Sequence, residues 1–451
     1  MTSDGTCGCS FRKLVEPVPV ARAATWALVC IALLASPGQS AGQVVNIVDP
    51  NLEQAIREAV AKPDGDLTEA DLQQLVVLNA SQRNITTLDG FTTATNLSHL
   101  DLSYNALSTA TLTPGFPRLG RVELQGNGLT NLVVPGLLPS LWQLALSENL
   151  LTDADFLTQM PQLAYLELDY NEFSAFDPGL ELNHLIWLNL AFNRIQDLNF
   201  LTRLPRLANL FLDDNGLTNV ALPGVLTNIN WLTLDVNRIA DLTFLTLLPK
   251  LTMLELASNF AERYVFPPGL ATLQYLNLGE NRLTNVAFAP DLTNLTTLYL
   301  DDNRFTELPN ILPLYSLQVL DLDINQFAQI VIPYSLTNLT RLEVGFNPLE
   351  QLIMPEALTT NLASLANDLA NRGVMVLTYP FPPRLTHALR TVHGRFEFEL
   401  HGPPGTYDLL RSTSLTSWTL DGHATNLTVS IGYTNSVSPQ TGGAFYRARL
   451  W

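Results

Sequence analysis

Acidic and aromatic side chains return at a fixed interval along most of this chain, and they are the chemistry it offers most plainly. Tyr165, Trp187, Trp231 and Tyr275 share one phase of a 22-residue period, and Phe211 and Tyr299 stand two positions further along it. In the same run lie Asp213, Asp235, Glu255, Asp301 and Asp321. Asp101, Glu123, Glu167, Asp169, Asp214, Asp302, Asp323 and Glu343 hold related positions, with Arg121, Arg341 and His99 against them. Rings in a row anchor protein interfaces and also stack on sugars, while carboxylates of one sign draw in cationic partners. Two plainer readings stand beside these. Strands need soluble outer residues, and rings pack on one another to fill a flat sheet surface.

Catalytic chemistry is harder to find. The chain has no HExxH zinc pattern, no GxSxG elbow, no P-loop and no dinucleotide fingerprint. A strand face spreads its groups in a line and does not converge them in a pocket. The sequence therefore assigns no catalytic residue, no cofactor and no metal ligand, and it points away from an enzyme. Asp213-Asp214 and Asp301-Asp302 could gather Ca²⁺, but they lack the glycine and spacing of a dedicated loop. His387, His393, His401 and His423 concentrate near the C-terminus at spacings that fit no zinc pattern, and they are read as surface or hydrogen-bonding residues.

The elements that position these groups follow from the period. The pattern LxxLxLxxNxL recurs every 22 residues, with its first Leu or Ile at 75, 97, 119, 141, 163, 185, 207, 229, 251, 273, 295, 317 and 339. Each unit predicts one short strand and a return segment, which cannot bury its own apolar edge and must stack on its neighbours. The fourth and sixth positions, such as Leu166 and Leu168, point inward, and burying each such Leu is worth roughly 1.5–3 kcal/mol. The alternating neighbours point out, and there the acids and rings fall.

Asn occupies the ninth position from Asn105 through Asn347, with Arg83 in the first unit. An amide there can bond the backbone leaving the strand, so this ladder is read as structural. The return segments alternate. Phe156-Leu157-Thr158, Phe200-Leu201-Thr202 and Phe244-Leu245-Thr246 are near-copies followed by Pro161, Pro205 or Pro249, whereas the units between them carry Pro178-Gly179 or Pro223-Gly224. So short a unit has little room for a full helix, and extended or 3₁₀ turns are expected on that side. Arg194, Arg238, Arg282 and Arg304 follow the Asn and are read as weak surface partners of nearby Asp residues.

Residues 1–42 read as an export leader: Arg12, Lys13 and Arg22 precede the apolar run Ala23 to Ala35, which is too short for the roughly 20 residues that span a bilayer. Cys7, Cys9 and Cys30 all lie within it, so the remainder can form neither disulfides nor thiolate metal sites. Cleavage near residue 42 also makes the remainder one unit more negative than the −18 of the whole chain. That acidity disfavours nucleic acid and anionic membranes as partners.

Residues 43–74 form a helical cap, with Asp49-Pro50 opening one helix and Thr68 and Asp71 a capping box for a second. The thirteen repeats fill residues 75–349. A closing helix with Gly373 as its cap and an apolar strand from Val374 occupy 350–378, and Pro380, Pro382 and Pro383 stiffen a linker at 379–383. Residues 384–451 alternate as strands do, with Phe396, Phe398 and Leu400 on one face.

The repeats resemble the leucine-rich repeat superfamily, in the 22-residue bacterial type seen in internalin-like surface proteins. The lead-in, with Asp49-Pro50-Asn51-Leu52 and Asp71-Leu72, resembles the N-terminal cap of secreted bacterial members. The tail, with Pro404-Gly405-Thr406-Tyr407 and Phe445-Tyr446-Arg447, is similar to a small β-rich module of bacterial exported proteins. The resemblance implies an α/β solenoid: an arc with a parallel sheet on its concave face, a 3₁₀ or extended convex side, a helical N-terminal cap and a small all-β C-terminal domain. It further implies a protein, secreted or held at the bacterial surface, that binds a protein or peptide through the concave sheet; a monomer is expected. A glycan ligand and a spacer without a specific ligand remain the alternatives.

Overall fold

The computed structural model describes residues 42–390, 395–434 and 444–450. Nearly all of the leader, and with it all three cysteines, lies outside the described residues, as do His393 and Gly442-Gly443.

Thirteen strands of three residues, from Val77–Asn79 to Arg341–Glu343, hydrogen-bond in chain order into one parallel sheet. Equal repeat length sets the register. Trp187 pairs with Asn209 and Leu188 with Leu210, so each position meets its counterpart in the next repeat. The central residue of each strand turns inward, and Leu166, Leu168, Leu188 and Leu190 are all fully buried. The fold class is the expected one: a parallel β-solenoid with few helices, followed by a small antiparallel β region.

The return side alternates as the sequence does. The three Phe-Leu-Thr copies form 3₁₀ turns at Asp155–Gln159, Asn199–Arg203 and Thr243–Leu247, each burying its Phe and Leu. Several of the other return segments run extended and pair in parallel, as Thr109–Thr111 does with Asn131–Val133 and Arg263–Val265 with Asn285–Ala287.

The asparagine ladder is structural. Asn193 Nδ2 donates to the carbonyls of Leu168 and Leu190 at 3.0 and 3.1 Å, and its Oδ1 accepts from the Phe173 amide at 3.0 Å. One amide thus bonds its own turn and the preceding repeat, satisfying backbone groups that would otherwise be buried without partners. The residue just before each Asn is left-handed, with φ 54° at Tyr104 and 45° at Asp214. Of these positions only Gly126 is glycine, so composition hides the turn.

Both ends are closed. Asp49 caps the helix Pro50–Ala59 and also accepts from the Thr86 amide and hydroxyl at 2.7 and 2.8 Å, joining the cap to the first repeat. Thr68 and Asp71 form the expected capping box on Glu69–Leu72. At the far end the helix Ala363–Asn371 covers the core, and Met375–Tyr379 extends the return-side sheet beside Gln351–Pro355. Tyr379, at the start of the proline-rich stretch, is fully buried and donates to the Ile332 carbonyl at 2.6 Å.

The C-terminal strands form two three-stranded antiparallel sheets. One orders Arg384–Arg390, Phe396–His401 and Ser430–Thr434; the other orders Thr419–Asn426, Gly405–Ser412 and Phe445–Leu450. Phe398, Leu400, Tyr407 and Leu409 fill the core between them. No helix among the described residues is long and apolar enough to cross a membrane.

Candidate binding face of the long sheet

The outward positions of the middle strands of the thirteen-stranded sheet carry an aromatic ribbon, interrupted at Met253. Its rings touch from repeat to repeat: Tyr165 to Trp187 with centroids 6.4 Å apart, Trp187 to Phe211 at 4.6 Å and Phe211 to Trp231 at 5.0 Å. Further along, Tyr275 meets Tyr299 at 5.6 Å. Tyr165 is exposed and the others are half-buried, so the rings both pack together and present surface. The Nε1 atoms of Trp187 and Trp231 are shielded from solvent and have no hydrogen-bond partner. Trp142, one residue ahead of the phase that Tyr165 and Trp187 share, extends the ribbon and meets Tyr165 edge-on at 5.9 Å.

Beside the ribbon, Asp213, Asp235 and Glu255 step across three successive repeats. Asp213 accepts from the Thr233 hydroxyl at 2.6 Å and from the Asp235 amide at 2.8 Å, and Asp235 accepts from the Ala257 amide at 2.6 Å. Glu255 is 2% exposed and its Oε2 has no partner. Burial first pushes all three acids above the ordinary carboxylate range, Asp235 furthest, and repulsion adds to it: from Asp214 at Asp213, from Asp213 and Glu255 at Asp235, and from Asp213 at Glu255. Burial and Asp321 push Asp301 up to about 6, and Asp321 is itself raised by burial. The acids at the centre of the face thus hold their protons to higher pH than ordinary carboxylates do.

The cations of the face sit near its two ends. Arg121 and His99 both reach Glu123, at 2.7 and 3.0 Å, and Arg341 pairs with Glu343 at 2.8 Å. Arg282 lies over the Phe260 ring at 5.1 Å instead of seeking an Asp.

The structure assembles one grouping that sequence spacing concealed. Among the described residues, His387, Glu399 and His401 are the set of three whose ligand atoms are close enough to share an ion. The adjacent acids do not form such a set: Asp213 is engaged by its neighbours, and Asp214 is exposed at the left-handed position.

The fold is that of a leucine-rich repeat solenoid, and the family model for Leucine Rich repeats (2 copies) matches residues 271–313. Within that class the chain has the internalin-like fold. It is similar to an internalin (InlF) from Listeria monocytogenes at 21% identity and a TM-score of 0.56, over 73% of this chain and 95% of that one. It is also similar to the functional domain of InlJ from the same organism at 16% identity and a TM-score of 0.53, over 81% of this chain and 97% of that one. That domain includes a cysteine ladder. This chain has no cysteine after Cys30, and its repeats are bound by the asparagine ladder instead. No curated protein sequence matches the chain.

Proposed function

We propose that this protein is exported through the leader at residues 1–42 and binds a cationic protein or peptide segment along the open face of its long sheet. An internalin-like leucine-rich repeat fold suggests protein–protein interaction in general. The finer reading rests on one observation: the contiguous ribbon Tyr165, Trp187, Phe211 and Trp231 runs beside acids whose pKa values burial raises. A Lys or Arg side chain laid across the rings gains cation–π contact and a carboxylate partner together. Tyr275, Tyr299, Asp301 and Asp321 extend the same surface. Binding, not catalysis, is the role inferred, with the protein acting as a secreted or surface-held monomer.

The ring surface left open by Tyr165, Trp187, Phe211 and Trp231 favours a second reading in which sugar rings stack on the aromatics. Arrays of basic peptides and of glycans, probed with the wild type and with Trp187→Ala/Trp231→Ala in 50 mM and 500 mM NaCl, test both. The first reading expects basic-peptide binding that is lost in the variant and weakened by salt. Salt-resistant binding confined to glycans overturns it, and so does peptide binding that the variant retains.

A further inference from the structure

The C-terminal β region carries a side-chain grouping that the long sheet does not use. His387 Nδ1 lies 3.2 Å from Glu399 Oε2, and His401 Nε2 lies 3.4 Å from the same oxygen. Ligand atoms of all three residues fall within 4.8 Å of one another. A tetrahedral zinc ion with bonds of about 2.0–2.1 Å holds its donor atoms about 3.3 Å apart. Both separations match an edge of that polyhedron.

The backbone brings the three together by two devices. Glu399 and His401 alternate along Phe396–His401 and so share its outer face, while Phe398 and Leu400 turn into the core at 5% and 0% exposure. His387 arrives from the neighbouring strand through a bulge. Thr386 pairs with Glu399 and Leu389 with Glu397, which leaves His387 and Ala388 opposite Phe398. Regular alternation would send His387 to the core side with Phe398. The extra residue, with His387 at a left-handed φ of 51°, re-aims its imidazole toward Glu399. A non-glycine residue held in that region inside a strand is strained, and such strain collects where a side chain has a task.

We propose that His387, Glu399 and His401 form a binding site for a divalent transition metal of the Zn²⁺ class. Two imidazoles and one carboxylate suit such an ion, whereas Ca²⁺ requires a shell of oxygens. The His387 side chain is 76% exposed, so the outer coordination position faces solvent and takes water or a donor from outside the chain. The bound ion ties Arg384–Arg390 to the central strand of its sheet across the bulge. That tie lies next to the junction with the last repeats, where Arg384 pairs with Glu356 at 3.3 Å and Phe381 stacks on Tyr334 at 3.9 Å. The site is independent of the proposed binding face, and neither depends on the other.

The test uses the full chain without an affinity tag, stripped with EDTA. Zn²⁺ is titrated by calorimetry and Co²⁺ by visible absorption. The site predicts one saturable equivalent of Zn²⁺, a Co²⁺ complex with ligand-field bands, and at least a tenfold loss of affinity in both His387→Ala and Glu399→Gln. His423→Ala is the control, because His423 faces Asp408 at 3.0 Å on the other sheet, and it should bind as the wild type does. The exposure of His387 lets its variant keep the fold, which circular dichroism checks. Absence of saturable binding overturns the proposal. Binding that survives His387→Ala, or that falls equally in His423→Ala, also overturns it.

Discussion

Trp187 and Trp231 meet edge to face with ring centroids 5.7 Å apart and planes at 87°, although a whole repeat separates their strands. Asn209 stands between them in register, pairing with Trp187 on one side and Trp231 on the other. The short amide leaves room for the two indoles to close over it, and Phe211 packs against both. The ribbon is therefore a coupled unit. A double-mutant cycle of Trp187→Ala and Trp231→Ala is expected to give a coupling of about 0.5–1.5 kcal/mol, measured by urea denaturation. Strict additivity would mean that the rings do not support one another.

The acids beside the ribbon predict how stability depends on pH. Burial raises the folded pKa values of Asp213, Asp235 and Glu255, so their contribution is full below the ordinary carboxylate range and is lost as pH rises through the folded values. Asp49 and Asp71 behave oppositely. Burial alone would raise them, but hydrogen bonds to Asp49 from Thr86, and to Asp71 from Lys62 and Thr68, outweigh it and hold both pKa values below the ordinary range. Their contribution is lost in acid as pH falls through those values. Stability should thus peak in mild acid. The melting temperature at pH 5.5 is expected to exceed that at pH 8.5, and Asp235→Asn should narrow the gap by removing a penalty on the order of 1–2 kcal/mol at the higher pH. A melting temperature that rises steadily to pH 8.5 would contradict this.

The ladder predicts a sharp contrast between neighbours in sequence. Asn237 is 1% exposed; its Nδ2 donates to the Leu212 and Leu234 carbonyls at 3.0 Å each, and its Oδ1 accepts from the Leu217 amide at 2.8 Å. Asn237→Leu leaves those backbone groups buried and unpaired and should cost about 2–4 kcal/mol. Arg238→Ala, one residue on and exposed, should stay within about 0.5 kcal/mol. Chemical denaturation of both variants decides the matter.

Asp49 predicts a local effect at the N-terminal end. It caps its own helix and holds Thr86 of the first repeat, so Asp49→Ala should cost about 1–3 kcal/mol. Hydrogen exchange should rise first in Pro50–Ala59 and in the first repeat, leaving the middle repeats protected. Uniform loss of protection along the solenoid would rule out this capping role.

The solenoid was legible because one period governs every level. Leu166 and Leu168 mark the inside, and the same count of residues places Trp187 and Trp231 on the outside. What the period could not convey depends on neighbours. Trp142 joins the ribbon because Gly120, opposite it in the preceding repeat, leaves room for the indole. Tyr170 and Phe192 stack at 4.0 Å from left-handed positions that no glycine announces. The raised pKa values of Asp213, Asp235 and Glu255 depend on burial that residue type does not encode. His387 and His401 meet only through strand pairing and a bulge, so their linear spacing carried no metal signature.

As proposed, the aromatic and acidic strip on the long sheet is a binding surface for basic peptides. Selection of a random peptide library against the wild type, with winners re-measured on Trp187→Ala/Trp231→Ala and on Asp213→Asn/Asp235→Asn, tests it most directly. The expected winners are rich in Arg and Lys, bind more tightly from pH 6 to pH 8, as the cation favours the ionised carboxylates, and lose at least tenfold affinity on both variants. Winners without basic residues, or winners that bind the variants as well as the wild type, would contradict it.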